Sequence, residues 1–302
     1  MATKVVVTGG AGFIGSHVAD ALVERGLDVH VIDNLSTGKR ERLNTRAVFH
    51  EVDIRNPAAL GPIFRGADGV FHTAALARVQ PSIQDPRTSH DVNINGTLNV
   101  LLAARDAGVK RVVYSASSSA YGDQERLPLT EDMTPRPMSP YALQKLVGEY
   151  YCRLFAELYE LKTVSLRYFN VYGLRASTDG PYALVIGRFL EQRAQGEPMT
   201  IVPDGTQSRD FTHVEDVVRA NLLAMDSSNV GRGEVVNIGG GKEHTVLEVA
   251  RLVGGPTVFI EPRVEPKRTL ADTSRAKDLL GWAPAVRFED GIAELKAMHA
   301  IA

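Results

Sequence analysis

A tyrosine and a lysine stand one helical turn apart in Tyr141-Ala142-Leu143-Gln144-Lys145, downstream of the serine run Ser115-Ala116-Ser117-Ser118-Ser119. On a helix that spacing puts both side chains on one face. A free phenol has a pKa of about 10, too high for a base at neutral pH. A cation about 4 Å away, at an effective dielectric of about 20, is worth roughly 4 kcal/mol, or about three pKa units. One neighbouring lysine is therefore enough to bring Tyr141 towards the working range. Such a phenolate takes a proton from an alcohol, and Ser117 can share a hydrogen bond with the same hydroxyl and hold it in line. The plainer alternative is a helix-surface pair with no chemical role. The rest of the chain has to decide between the two.

The elements that position these groups follow from apolar runs and turn signals. A strand over 111–115 ends at the serines. Ser139-Pro140 suits the cap and first position of a helix over 140–160, since proline's missing N–H has no partner there anyway. Upstream, Val5-Val6-Val7-Thr8 is a short apolar run expected as a buried strand. Gly9, Gly12 and Gly15 follow in G-x-x-G-x-x-G spacing, with Phe13 and Ile14 inside the motif, and open a helix over 12–25. Glycine permits the tight turn and a close diphosphate, while the helix N-terminus supplies N–H donors and partial positive charge. A simple strand-to-helix turn is the alternative, but the place between first strand and first helix favours a dinucleotide.

A second strand over 28–32 ends at Asp33-Asn34. An acidic side chain about 20 residues after the glycines accepts bonds from ribose hydroxyls and repels a 2′-phosphate, which favours NAD over NADP; Lys39 and Arg40 lie close by. An oxidised nicotinamide would add a second positive charge beside Tyr141. A third strand over 48–52 leads to Asp53-Ile54. The fourth, over 69–73, leads to Ala74-Ala75, small enough for the backbone to pass close to a dinucleotide. A loop over 78–86, a long helix over 88–107 and the fifth strand complete an alternation without hairpin signals. The expected fold class is α/β: a Rossmann-type doubly wound parallel sheet covered on both sides, with ligands beyond the carboxyl ends of its strands. After a sixth strand over 163–167 the alternation loosens. Short segments remain, with helices over 183–195, 245–252 and 290–299 and strands over 199–202 and 235–238. Residues 1–169 are expected to form the dinucleotide domain, and 170–302 mainly a smaller α/β lobe interleaved with it and closing over the crevice.

Composition narrows the function. With 302 residues, 44% of them hydrophobic, the chain can bury a large core. A net charge of −2 gives no reason to expect nucleic acid or an anionic membrane as partner. The single cysteine, Cys152, excludes an internal disulfide and argues against a thiolate metal cluster. No metal site is expected, and no apolar run approaches the ~20 residues needed to cross a bilayer. The first strand begins almost at Met1, leaving no room for a signal peptide, so a cytoplasmic location is expected.

In this order the motifs resemble the extended short-chain dehydrogenase/reductase family, most closely its NAD-dependent nucleoside-diphosphate-sugar epimerases of the UDP-glucose 4-epimerase type. The matching stretches are Thr8 to Gly15, Asp33-Asn34, His72 to Ala75, Asn93 to Thr97, Ser115 to Gly122 and Tyr141 to Lys145. Beyond them come Arg167 to Gly173, Gly205 to Phe211 and Leu270 to Ser274. The resemblance implies that NAD is held by Gly9, Gly12, Phe13, Ile14, Gly15, Asp33, Asn34, Asp53, Ile54, Ala74, Ala75, Asn93, Ser115, Tyr141, Lys145 and Tyr168. For Asp53 a helix cap for the segment from Pro57 onwards is the alternative. It also implies a UDP-sugar whose 4-hydroxyl proton goes to Tyr141 while C4 passes hydride to NAD. The 4-keto sugar then turns over and takes hydride back on its other face. Ser117 matches the residue bonded to the 4-oxygen. Asn170 and Arg209 match holders of the diphosphate, with a turn-stabilising asparagine and a solvated loop arginine as the alternatives. Arg263 falls in a nucleotide loop that lacks the family's glycine.

Dehydratase relatives carry an Asp-Glu pair directly after the Ser/Thr and decarboxylase relatives a glutamate two residues after it, whereas Ser118 and Ser119 stand here and leave elimination without its acid and base. Thr269 occupies a place where hexose-restricted relatives often carry tyrosine, which leaves room for a 2-acetamido sugar. UDP-glucuronate epimerisation and NADP-dependent 4-reduction are the alternatives on the same fold, and a non-catalytic NAD-binding protein is a third. The family implies a homodimer through the helices over 88–107 and 140–160.

Overall fold

In the computed structural model, which describes residues 2–177, 184–261 and 267–301, seven strands form one sheet. The strands are β1 (Lys4–Thr8), β2 (Asp28–Asp33), β3 (Val48–Glu51), β4 (Gly69–His72), β5 (Arg111–Ser117), β6 (Lys162–Tyr168) and a final one, Arg232–Ile238. Their spatial order runs Arg232–Ile238, β6, β5, β4, β1, β2, β3, every neighbour parallel. The chain reverses its direction of travel across the sheet between β1 and β4, which opens a crevice at their carboxyl ends.

Both faces of the sheet are buried, so successive residues of one strand serve different cores. Val5 and Val7 face one layer with Val29, Val31, Phe71 and Val113; Val6 faces the other with Val70, Val112 and Tyr114. Helix α1 (Phe13–Glu24) covers the first face. The second is covered by α2 (Pro57–Phe64), α5 (Thr97–Asp106) and α6 (Pro140–Tyr159), with α3 (Val79–Gln84) and α4 (Pro86–His90) packed on α6. Each fully buried aliphatic side chain is worth about 1.5–3 kcal/mol.

Three local expectations change. The segment 78–86 holds α3, where Pro81 lies in a first turn that needs no N–H from it. The single helix over 88–107 is α4 and α5 joined by a π-turn, Asp91–Gly96. That widened turn shelters Ile54, whose side chain would lie 2.6 Å from a Cβ on Gly96. Strand β5 runs two residues further than its apolar core, with Ala116 and Ser117 paired to Arg167 and Tyr168.

Three elements from beyond residue 170 return to the large layer: the seventh strand, helix α8 (Val214–Asp226), which follows α7 (Val185–Ala194), and α10 (Ser274–Leu280), which brings Ala276, Leu280 and the following Trp282 into the first core. Helix α8 is absent from the sequence expectation. It packs its apolar face on α1 and β5. At its carboxyl end the Arg111 guanidinium donates to the carbonyls of Ala224, Met225, Ser227 and Val230 at 2.6–3.0 Å. A third core, built on Tyr172, Phe189, Ile201, Phe211 and Phe288, joins α7, α9 (Val246–Val253) and, beyond α10, α11 (Phe288–Met298). No helix among the described residues is long and apolar enough to cross a membrane.

Candidate active site

The carboxyl ends of β1, β2, β4, β5 and β6 bring the expected residues to one crevice. Gly9 turns the chain out of β1 with φ +73° and approaches the β4 loop so closely that a Cβ on it would lie 2.6 Å from Ala74 N. Gly15 is tighter: its Cβ would meet the Gly9 carbonyl oxygen at 2.3 Å. A side chain at either position would fill the cradle beneath the α1 N-terminus, and this emptied backbone bed fits a diphosphate. Gly12 precedes α1, and Phe13 and Ile14 open it half-buried. Asp33 is buried, which raises its pKa, and its two oxygens accept from Ala11 N (3.0 Å) and Leu35 N (2.8 Å). It joins the glycine turn to β2 and keeps lone pairs for a ribose hydroxyl. Arg40 is drawn to Glu51 and the Phe49 ring.

Asp53 does not cap α2, whose cap position is Asn56. Its carboxylate takes bonds from Arg55 N and guanidinium and from Asn34 Nδ2 (2.7 Å), and the Arg55 contact holds its pKa at about 2. Ile54 is buried behind it. Ala74 and Ala75 are half-buried in the β4 loop. Beneath that loop His72 links three elements. Thr97 Oγ1 donates to Asn93 O, so it accepts from His72 Nε2, leaving Nδ1 to accept from Thr8 Oγ1 at 2.7 Å. Burial lowers the His72 pKa to about 3 and keeps the ring neutral. Asn93 acts on the loop through the backbone: its amide meets both Leu76 N–H and C=O and the Gln144 side chain.

Tyr141 begins α6, capped by Ser139 Oγ, which accepts from Ala142 N at 3.2 Å. Tyr141 N itself donates to Ser82 Oγ at 3.1 Å, which anchors α3 to the head of α6. Burial raises the Tyr141 pKa, while the Ser117 hydroxyl and the Arg78 guanidinium oppose that rise. Arg78 is the residue that precedes α3. The Lys145 ammonium donates to Ser115 O at 2.8 Å and lies over the Tyr114 ring at 5.0 Å, and burial lowers its pKa to about 8. Lys145 thereby joins the end of β5 and shares its helix face with Glu149, which accepts Arg167 Nε (2.8 Å) and Nη2 (2.7 Å) in full burial. Gly148 admits the Tyr114 hydroxyl, which a Cβ there would meet at 2.2 Å. Ser115 Oγ lies 3.1 Å from the Tyr168 hydroxyl, itself bonded to Asn221, and burial lifts that phenol to about 12.

The second lobe brings Asn170 and Thr269 together. Asn170, at φ +32°, donates to Asp210 O (2.9 Å) and Thr269 Oγ1 (3.3 Å), so its turn-holding role is met within the protein. Asp210 is buried under three backbone N–H groups, those of Gly240, Gly241 and Ala271, and burial lifts its pKa to about 6. Arg209 donates to Ser208 O (2.9 Å) and Lys267 O (3.3 Å), which places its cation beside Lys267 at the rim. Arg268 is bound to Glu243. Arg263 lies outside the described residues. Ser82 and Glu149 escape the sequence reading; only Glu149, one turn beyond Lys145, carried a spacing signal.

The NAD dependent epimerase/dehydratase family model matches residues 5–239. The chain belongs to that family. Its cofactor is NAD, and the glycine bed, Asp33 and the Ala74-Ala75 edge fit that dinucleotide. A UDP-glucose 4-epimerase of Mycolicibacterium smegmatis is 36% identical over 305 residues, covering 96% of each chain. The crystal structure of a UDP-glucose 4-epimerase of Thermotoga maritima with UDP-glucose is 40% identical with a TM-score of 0.94, covering 99% of this chain and 98% of that one. A UDP-N-acetylglucosamine 4-epimerase of Methanobrevibacter ruminantium, in complex with UDP-N-acetylmuramic acid, is 37% identical with a TM-score of 0.94 over 99% of both chains.

Proposed function

We propose that this chain is an isomerase that inverts C4 of a UDP-hexose, with UDP-glucose and UDP-galactose as its pair. The observation that carries this reading is the site at the end of β5 and the head of α6: it offers Tyr141 and Ser117, with Lys145 Nζ on Ser115 O, and the two residues after Ser117 are serines in place of carboxylates. Proton transfer to and from one alcohol needs those groups alone, whereas elimination needs an added acid and base. Bound NAD supplies the site's hydride acceptor and donor. Tyr141 takes the 4-hydroxyl proton and returns it, with Ser117 bonded to the same oxygen and Arg78 favouring the phenolate. Lys145, fixed on Ser115 O, would hold the ribose of the nicotinamide with its remaining donors. Arg209 holds the diphosphate as the charge-assisted donor, and Asn170 would join it by turning an amide hydrogen from Thr269 Oγ1, 3.3 Å away, to a phosphate oxygen.

The small Thr269 side chain beside Asn170 supports acceptance of a 2-acetamido group, so UDP-GlcNAc and UDP-GalNAc are included in the proposed range. The enzyme acts as a homodimer through α6, where Leu143, Tyr150, Leu154 and Leu158 form an exposed stripe 45–66% accessible. Incubation of the purified protein with UDP-glucose, UDP-GlcNAc and UDP-glucuronate, followed by analysis of C4 stereochemistry, tests the reading. Interconversion of UDP-glucose and UDP-galactose without net cofactor consumption is expected. Stoichiometric consumption of NADPH, a dehydrated product, or turnover of UDP-glucuronate alone would overturn it.

A further inference from the structure

Gln144 stands on α6 between Tyr141 and Lys145, buried, with an amide that exchanges no proton at neutral pH. Its side chain ends a relay of amide contacts that begins on the β4 loop. Asn93, in the widened turn Asp91–Gly96, accepts from Leu76 N through Oδ1 at 2.8 Å and donates to Leu76 O through Nδ2 at 3.1 Å. Those two bonds fix which end of the Asn93 amide is the oxygen. The second Nδ2 hydrogen then needs an acceptor, and Gln144 Oε1 supplies it at 2.8 Å. The Ser89 hydroxyl donates to the same oxygen at 2.8 Å, so both lone pairs of Oε1 are used. Ser89 and Asn93 are buried with it. We propose that Gln144 is a positioning residue for the dinucleotide: acting through Asn93, it sets the β4 edge at Ala74-Ala75 against the helix that carries Tyr141 and Lys145.

Leu76 directly follows that edge, and the edge already packs so closely on the glycine turn that a Cβ on Gly9 would lie 2.6 Å from Ala74 N. The loop is thus gripped from β1 on one side and by Asn93 on the other. Without an acceptor at residue 144 the Asn93 amide keeps a buried N–H with no partner, which disfavours its present orientation. Both Leu76 bonds use the two ends of that one amide, so they weaken together. The loss falls on the dinucleotide rather than on the sugar, because Asn170 and Arg209 are held by other elements.

The inference rests on NAD as the cofactor and is independent of which sugar is turned over. Gln144→Leu in the purified holoenzyme tests it, with Gln144→Glu, which keeps an acceptor oxygen at the same length, as the conservative counterpart. In folded Gln144→Leu, release of bound NAD on dilution and exchange of the Leu76 amide hydrogen are each expected to be about tenfold faster, with KM for UDP-glucose at saturating NAD unchanged. Gln144→Glu should stay within about twofold of wild type in both. Asn93→Ala should release NAD as fast as Gln144→Leu, and combining the two should bring no further change. Should Gln144→Leu not fold, Gln144→Met makes the same comparison with the same outcomes. NAD release unmoved in Gln144→Leu, raised equally in Gln144→Glu, or raised further when Gln144→Leu is added to Asn93→Ala, overturns the proposal, as does an effect confined to KM. Absence of any epimerisation by the wild-type protein would sink the functional reading instead, and NAD release and amide exchange would still decide the role of Gln144.

Discussion

Glu149→Gln removes one charge from a pair that is almost fully enclosed. Arg167 and Glu149 have side chains 3% and 2% exposed, and the carboxylate takes two parallel bonds from the guanidinium. Glutamine offers one acceptor oxygen and turns an NH2 group towards the second donor. Arg167 Nη1 already has no hydrogen-bond partner among the described residues, so the variant leaves a buried cation with one good contact. Breaking a buried pair in this way costs about 3–5 kcal/mol, which for a chain of this size lowers Tm by on the order of 10 °C. Thermal or denaturant unfolding of the single variants and of Glu149→Gln/Arg167→Met measures it. The double variant replaces both charges and leaves apolar packing against Tyr121, whose ring lies 4.5 Å from the guanidinium, so it should be more stable than Glu149→Gln. A single variant within about 1 kcal/mol of wild type, or a double variant losing the sum of both singles, would refute the reasoning.

Tyr141→Phe should lower kcat about 10²–10⁴-fold with NAD content unchanged, measured by turnover and by nucleotide released on denaturation; retained turnover would remove the phenol from the mechanism. Thr269→Tyr should depress turnover of UDP-GlcNAc relative to UDP-glucose by about tenfold or more, read from kcat/KM for each, and an unchanged ratio would dismiss the pocket argument. His72, lowered to about 3 by burial, binds fewer protons folded than unfolded. Its contribution to stability is therefore complete above the unfolded histidine pKa of about 6.5 and is lost as pH falls from there towards 3, at up to about 1.4 kcal/mol per pH unit. Denaturant midpoints across that range should fall less steeply in His72→Gln than in wild type.

The sequence by itself determined the sheet and the crevice. Apolar runs too short for helices, each followed by Gly9, Asp33, Ala74 or Ser115, leave a parallel α/β sheet as the way to bury both faces of every strand, and the carboxyl-end turns then converge. It also gave the head of α6, because the Ser139-Pro140 cap is local chemistry. Tertiary structure alone decided what the Lys145 ammonium bonds. The i,i+4 spacing of Tyr141 and Lys145 fixes only their shared helix face. That the ammonium meets Ser115 O depends on where β5 ends relative to α6, some thirty residues earlier in the chain. Likewise Tyr141 N meets Ser82 only because α3 packs on α6, and Glu149 becomes a buried partner only because β6 carries Arg167 beneath it. Those relations join residues far apart in sequence through packing, and no periodicity within a single segment records them.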